Sequence, residues 1–162
     1  HSISRRRTRV NRLVALTARC MSWSALFTLT NVVAMTAWAA LAFLPRRPAT
    51  LSLIMYAGVG LLCLSYAAMF VALFFGGADA GRLAGAPPPD LADYSIAGIR
   101  ALFMSDGGIV LGWTHYLAFD LWVGAWIAED AGDRGVAPHL LLVPLLLLTF
   151  LAGPLGLLVY LL

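Results

Sequence analysis

Residues 107–128 read GGIVLGWTHYLAFDLWVGAWIA, an apolar run with two ionisable side chains inside it, His115 and Asp120. A helix rises 1.5 Å per residue, so about 20 residues cross the ~30 Å hydrocarbon layer of a bilayer, and this run is long enough. An Asp at the centre of such a helix costs roughly 2.5–3.5 kcal/mol on insertion scales, so a partner within the folded chain, or a function, must offset it. Taken as a span, the run sets the reading of the whole chain.

Outward from it lie three further apolar runs of similar length, about 21–44, 51–75 and 138–161. The chain of 162 residues is 61% hydrophobic and only 12% charged, with a mean hydropathy of +0.86, far from the composition of an ordinary soluble domain. These features predict an all-α integral membrane protein, a four-transmembrane-helix bundle forming one domain over residues 1–162. Pro45-Arg46-Arg47-Pro48 stops a helix and holds a turn at the interface, so the first two spans form an antiparallel hairpin. Residues 76–106 form the one long loop, with Gly-Gly, a Pro run at 87–89 and scattered charges. Within it Asp90 or Asp93 is positioned to cap an amphipathic helix before the third span, with Ile96, Ile99, Leu102 and Phe103 at helical spacing, lying in the interface.

All eleven basic residues are Arg, and six of them fall in the amino-terminal segment 1–20. Such a cluster before a span suits an anionic lipid surface and not nucleic acid. With four spans, the amino-terminal segment and long loop carry eight Arg against three, Arg46, Arg47 and Arg134, on the other side. The positive-inside rule then puts both termini in the cytoplasm, in a bacterial inner membrane. Cys20 and Cys63 share no metal or redox spacing and read as small buried hydrophobes.

His115 and Asp120 point about 140° apart on a helical wheel, so they are not an i, i+4 metal pair, and no metal site is expected. Asp120 shares a face with Trp113, Tyr116 and Gly124; His115 shares one with Phe119, Trp122 and Trp126. A carboxylate beside a phenol and an indole could bind a long apolar ligand bearing a few oxygens. The bland alternatives are hydrogen bonds from Asp120 to Asn31, Thr28 or Thr30, and from His115 to Tyr66, Ser65 or a backbone carbonyl. Asp106, Glu129 and Asp130 are candidate acidic partners for His115. Gly108 and Gly112 suggest close helix contact. Gly153-Pro154 with Gly156 interrupts the last run, freeing the Phe150 carbonyl for another partner and opening space near Asp120.

The pattern Met104-Ser105-Asp106, Trp113-x-His115-x-x-Ala118-x-Asp120-Leu121, an acidic turn ending at Asp130, then His139 and a Pro-interrupted last span, resembles the family of the plant neoxanthin-synthesis protein. That family is named for abscisic acid deficiency and includes bacterial relatives under a domain of unknown function. The resemblance covers mainly residues 90–160. It implies a four-span membrane protein of xanthophyll metabolism, needed in plants for opening the violaxanthin epoxide to allenic neoxanthin. It implies roles for Trp113, His115, Asp120 and Asp130, with Asp106 standing where the plant proteins have another acid. The short basic amino terminus lacks plastid-targeting character, and the fourth span departs from the plant pattern.

Three functions are therefore carried forward. One is an isomerase-type enzyme acting on a carotenoid or related isoprenoid, with Asp120 as proton donor and His115 as base, Trp113, Tyr116, Trp122, Trp126 and Asn31 binding the ligand, and Asp106, Asp130 and His139 supporting them. Another is a pigment-binding scaffold, alone, as a homo-oligomer or in a larger membrane complex. The third is a small oligomeric transporter using His115 and Asp120 as a proton relay. No cofactor is identified.

Overall fold

The computed structural model describes residues 22–135 and 139–162. The basic amino-terminal segment, Cys20 and the side chain of His139 lie outside the described residues. Among the described residues six helices follow one another: α1 (Trp23–Phe43), α2 (Pro48–Phe74), α3 (Ile96–Phe103), α4 (Asp106–Asp133), α5 (His139–Leu151) and α6 (Gly153–Leu161). No β-strand occurs among the described residues; a single bridge joins Arg82 to Ser105.

Each boundary has a local cause. The Ser22 hydroxyl accepts from the Ala25 N–H and starts α1. Pro48 stands in the first turn of α2, where its missing N–H costs nothing, so that helix begins three residues before the expected 51. Ser95, and not Asp90 or Asp93, caps α3 by accepting from Gly98 N–H at 3.1 Å; Asp93 instead accepts from Ser95 N–H at 2.9 Å. Ser105 caps α4 in the same way, and that helix runs to Asp133, five residues beyond the apolar run. The acidic residues Glu129 and Asp130 thus extend the helix instead of forming a turn.

Inside α2, Ile54–Val59 form a π-helical stretch. There Gly58 comes so close to α1 and α4 that a Cβ would stand 2.9 Å from Ala37 Cβ and 3.1 Å from Leu121 Cδ2. Small residues at that crossing let three helices meet. The core they share includes Ala34, Leu41, Leu62, Leu121, Ile127 and Leu146.

Helix α4 is the axis of the bundle. Near its start, Trp23 packs on Gly107 and donates its indole N–H to the Asp79 carbonyl at 2.8 Å. Near its end, the Arg46 guanidinium donates to the Ala128 carbonyl at 3.2 Å. Helices α1 and α4 therefore run parallel, with α2 antiparallel to both.

The last apolar run does not form one helix. Pro154 offers no N–H to the Phe150 carbonyl, and Ala152 leaves the helical region at φ −152°, ψ 70°. The chain turns back there: a Cβ on Gly156 would stand 2.5 Å from both Cα and N of Thr149, whereas residues seven apart on a continuous helix lie ~10 Å apart. Contacts along α4 trace the return. Phe150 meets Tyr116, Gly153 meets Asp120, and the Tyr160 hydroxyl donates to Asp130 Oδ2 at 2.5 Å.

Helices α5 and α6, of 13 and 9 residues, are thus a hairpin reaching partway along the bundle. Neither has the ~20 residues a crossing needs. The expected fourth span over 138–161 is corrected to this hairpin, and the outer ends of α1 and α6 fall at opposite ends of the bundle, not on one side. Helices α1 and α2 are long and apolar enough to cross a membrane. Cys63, expected to be buried, is exposed on the outer face of α2.

Candidate functional site: an aromatic cavity at His115 and a buried carboxyl at Asp120

The two faces of α4 have different fates. His115 faces α2, where its ring lies 5.7 Å from the Tyr66 ring, and its own-helix neighbour Phe119 lies 4.6 Å away. Beside them a cavity of about 830 Å³ runs from His115 towards the end of the bundle at which α4 begins. Its walls come from four places: Tyr66, Phe70 and Phe74 on α2, residues of the loop, Ile99 and Phe103 on α3, and Leu111 on α4. That size and an apolar lining with few polar groups are the general features of a small-molecule site.

The wall supplied by α3 depends on glycines. Phe103 lies over Gly112, where a Cβ would come within 2.8 Å of its Cζ. Gly108 lets the Leu102 carbonyl carbon approach to 2.9 Å of the same hypothetical atom. The Gly-xxx-Gly pair therefore makes the close helix contact expected of it, with the short helix α3 as the partner of α4. Within the loop, Gly81 at φ +63° makes the turn that sets Arg82 against Ser105, a conformation that side chains beyond Gly rarely adopt.

Asp120 lies on the other side of α4 and does not line this cavity. It is only 9% exposed, its Oδ2 has no hydrogen-bond partner among the described residues, and its carboxyl rests against Gly153, where a Cβ would be 2.8 Å from its Cγ. Gly153 is the first residue of α6, so the carboxyl packs against the start of that helix. Beside it the Tyr116 hydroxyl donates to the Phe150 carbonyl at 3.4 Å, the very acceptor that Pro154 leaves without an N–H. The expected partners Thr28 and Thr30 bond within α1 instead.

The remaining candidates scatter. Asn31 accepts from the Trp113 indole at 3.1 Å and donates to its own helix at the Phe27 carbonyl, tying α1 to α4. Trp113 also packs on Phe27 and Tyr116, at ring distances of 6.0 and 5.3 Å. Trp126 meets Tyr160 edge-on at 5.7 Å, and Trp122 is exposed on the outer surface. None of Trp113, Tyr116, Trp122, Trp126 and Asn31 lines the cavity.

Asp106 packs against Gly81 at the foot of α4. Asp130, at the far end, is bound by Tyr160 and by Arg134 at 2.8 Å, which hold its carboxyl below the usual carboxylate range, the tyrosine first. Among the described residues none of Asp106, Glu129 and Asp130 bonds His115, whose ring neighbours are Tyr66 and Phe119. Among the described residues no three His, Cys, Asp or Glu side chains gather as metal ligands would.

Sequence reasoning missed most of the cavity. Tyr66, Phe70 and Phe74 recur every four residues on α2, a legible stripe facing one way. Phe103 was legible only as part of an amphipathic helix and Arg82 carried no signal, because a short helix and a loop bring them to the cavity.

The fold and site define a class: an all-helical bundle with an aromatic cavity beside a histidine on its axial helix. A model of the ABA DEFICIENT 4-like family matches residues 25–160, and the chain belongs to that family. The match takes in the first hairpin as well as the region from 90 onwards that carries most of the resemblance. No curated protein and no solved structure matches the chain.

Proposed function

We propose that this chain is a membrane protein of neoxanthin-synthesis type that binds and modifies a carotenoid or related isoprenoid, taking the ligand into the cavity at His115. The observation that carries the reading is that cavity of about 830 Å³, aromatic along its length and holding an imidazole roughly 14 Å along α4 from its start. Family membership supports the substrate class. The large apolar side chains exposed on the long helices, such as Met35, Leu64, Val71 and Phe119, favour lipid as the surrounding medium.

In this reading α1, α2 and α4 cross the bilayer and α5–α6 is a re-entrant hairpin, its non-helical turn packed against α4 as backbone at membrane depth must be. The end at which α1 begins is cytoplasmic, because six Arg precede α1 in the sequence and Arg82 and Arg100 add to them, against Arg46, Arg47 and Arg134, and α6 ends on the other side. His115 is the ligand-facing group, able to donate or accept a proton. Asp120 acts at a distance, fixing the hairpin and with it the axial helix. The pairing of Asp120 with His115 as acid and base on one ligand does not fit their separation by the width of α4.

The test is pigment composition in xanthophyll-producing cells expressing the chain. Wild type is expected to change it, and His115→Gln to abolish the change at equal protein level. An unchanged pigment profile with wild type, or full activity in His115→Gln, overturns the proposal.

A further inference from the structure

We propose that residues 86–93 form a lid over the loop end of the cavity, held shut by Arg82 and hinged at Gly85, so that the cavity opens to water by a local movement that leaves the bundle intact. This rests on the reading of the cavity as a ligand site and adds how that site is opened.

The loop between α2 and α3 has two unequal halves. Its first half is pinned to the bundle. The Asp79 carbonyl accepts the Trp23 indole N–H. The Ala80 and Gly81 carbonyls accept from the N–H groups of Gly107 and Asp106 at 2.9 and 3.3 Å, and the Leu83 N–H donates to the Met104 carbonyl at 3.1 Å. Beyond Gly85 the stitching stops. Among the described residues, segment 86–93 makes hydrogen bonds outside itself at its two ends alone. At one end the Ala86 N–H donates to the Leu83 carbonyl and the Arg82 guanidinium to the Pro87 carbonyl; at the other the Ser95 N–H donates to Asp93 Oδ1. None of these partners belongs to a helix.

The same segment nonetheless walls the cavity, through Pro89 and Leu91, with Tyr94 just beyond. Leu91 is 43% exposed and Tyr94 86%, so the wall here is a single thickness of chain. The sequence sets where it can bend. Pro87-Pro88-Pro89 fixes three successive φ angles and removes three N–H donors, which makes the strip stiff and leaves it little to bond with. Rotation is left to its ends. Gly85 has φ +78° and a Cβ there would meet nothing within 4 Å, whereas Asp93 packs on Gly98 and seats the other end on α3. A segment so sparsely bonded opens locally at a small fraction of the cost of global unfolding. Arg82, itself in the cavity wall, supplies the one side-chain bond that must break at the Gly85 end.

The experiment times the reaction of a charged, water-soluble methanethiosulfonate with one thiol in the full chain in nanodiscs. Cys20→Ala and Cys63→Ala remove the native thiols, and Leu111→Cys places the reporter at a cavity-lining position that is 8% exposed. Its rate follows the population of the open lid. The parent is expected to react slowly. Arg82→Ala should raise the rate roughly three- to tenfold, the range for one lost hydrogen bond. Gly85→Ala, which strains the closed backbone without a clash, should raise it as well. Arg100→Ala, a loss of charge outside the lid, should leave the rate within about twofold. A separate reporter, Asp133→Cys at the far end of the bundle, should be unaffected by every change and so reports that the variants are folded.

A Leu111→Cys parent that reacts as fast as the Asp133→Cys reporter overturns the lid, since nothing then covers the cavity. So does a rate that neither Arg82→Ala nor Gly85→Ala changes, or one that rises in parallel at both reporters. A reporter at position 111 that reacts in no background overturns it too, because the cavity then has no opening to water. The readout needs no pigment, so failure of the lid and failure of the isoprenoid reading are separate results.

Discussion

Replacing Gly153 by Ala probes the junction on which the hairpin depends. The new Cβ would stand 2.8 Å from Asp120 Cγ and 3.0 Å from Oδ2, closer than packed carbon atoms come. Asp120 has little freedom to retreat, being 9% exposed on a helix whose neighbouring turns are fully packed at Leu117, Leu121 and Gly124. The tip of the hairpin must move instead. Overpacking of this kind typically costs ~1–3 kcal/mol. For a chain of this size that is a fall of roughly 2–12 °C in unfolding temperature, to be read by thermal unfolding in mild detergent.

The control is a double-mutant cycle with Asp120→Ala. That change alone removes an unpartnered buried oxygen and also the carboxyl at the end of α6, two opposing effects. In its background the clash is gone, so Gly153→Ala should cost only a few tenths of a kcal/mol, giving a coupling of about 1–3 kcal/mol. A neutral Gly153→Ala, or the same penalty in both backgrounds, would refute the account of Asp120 as the seat of the hairpin.

Further outcomes are expected. A reporter fused after Leu162 should lie on the opposite side of the membrane from one inserted in the 76–95 loop; the same side for both would restore a fully crossing last segment. Asp130 has its carboxyl held low by Tyr160 and then Arg134, so its stabilisation is complete above the unfolded carboxylate value near pH 4 and is lost as pH falls through the lower folded value. Tyr160→Phe should therefore destabilise the chain at neutral pH and flatten its loss of stability below about pH 4, as followed by unfolding against pH. Asn31→Ala removes the acceptor of the Trp113 indole and should cost about 0.5–1.5 kcal/mol. Trp113→Phe should add little to it, and additive losses in detergent unfolding would show that the two are not coupled.

The sequence by itself determined a great deal of the local structure. The lengths of the apolar runs located the three long helices α1, α2 and α4, while a fourth run of like length did not form one. The helical wheel put His115 with Phe119 and Asp120 with Tyr116 and Gly124, and those groupings stand, since neighbours on one helix face are fixed by helical geometry alone. Pro154 foretold that the Phe150 carbonyl would seek a partner, and Tyr116 is that partner.

What only the tertiary structure decided lies between the elements. A proline break permits either a kink or a reversal. The choice fell to reversal because Gly153 and Gly156 let the returning helix close on Asp120 and Thr149, contacts no local pattern encodes. The cavity at His115 needed α2, the loop and α3 to converge. Asp120 stood in the sequence as an ionisable group without a local partner, and what it packs on is the first residue of another helix, 33 residues away in the chain.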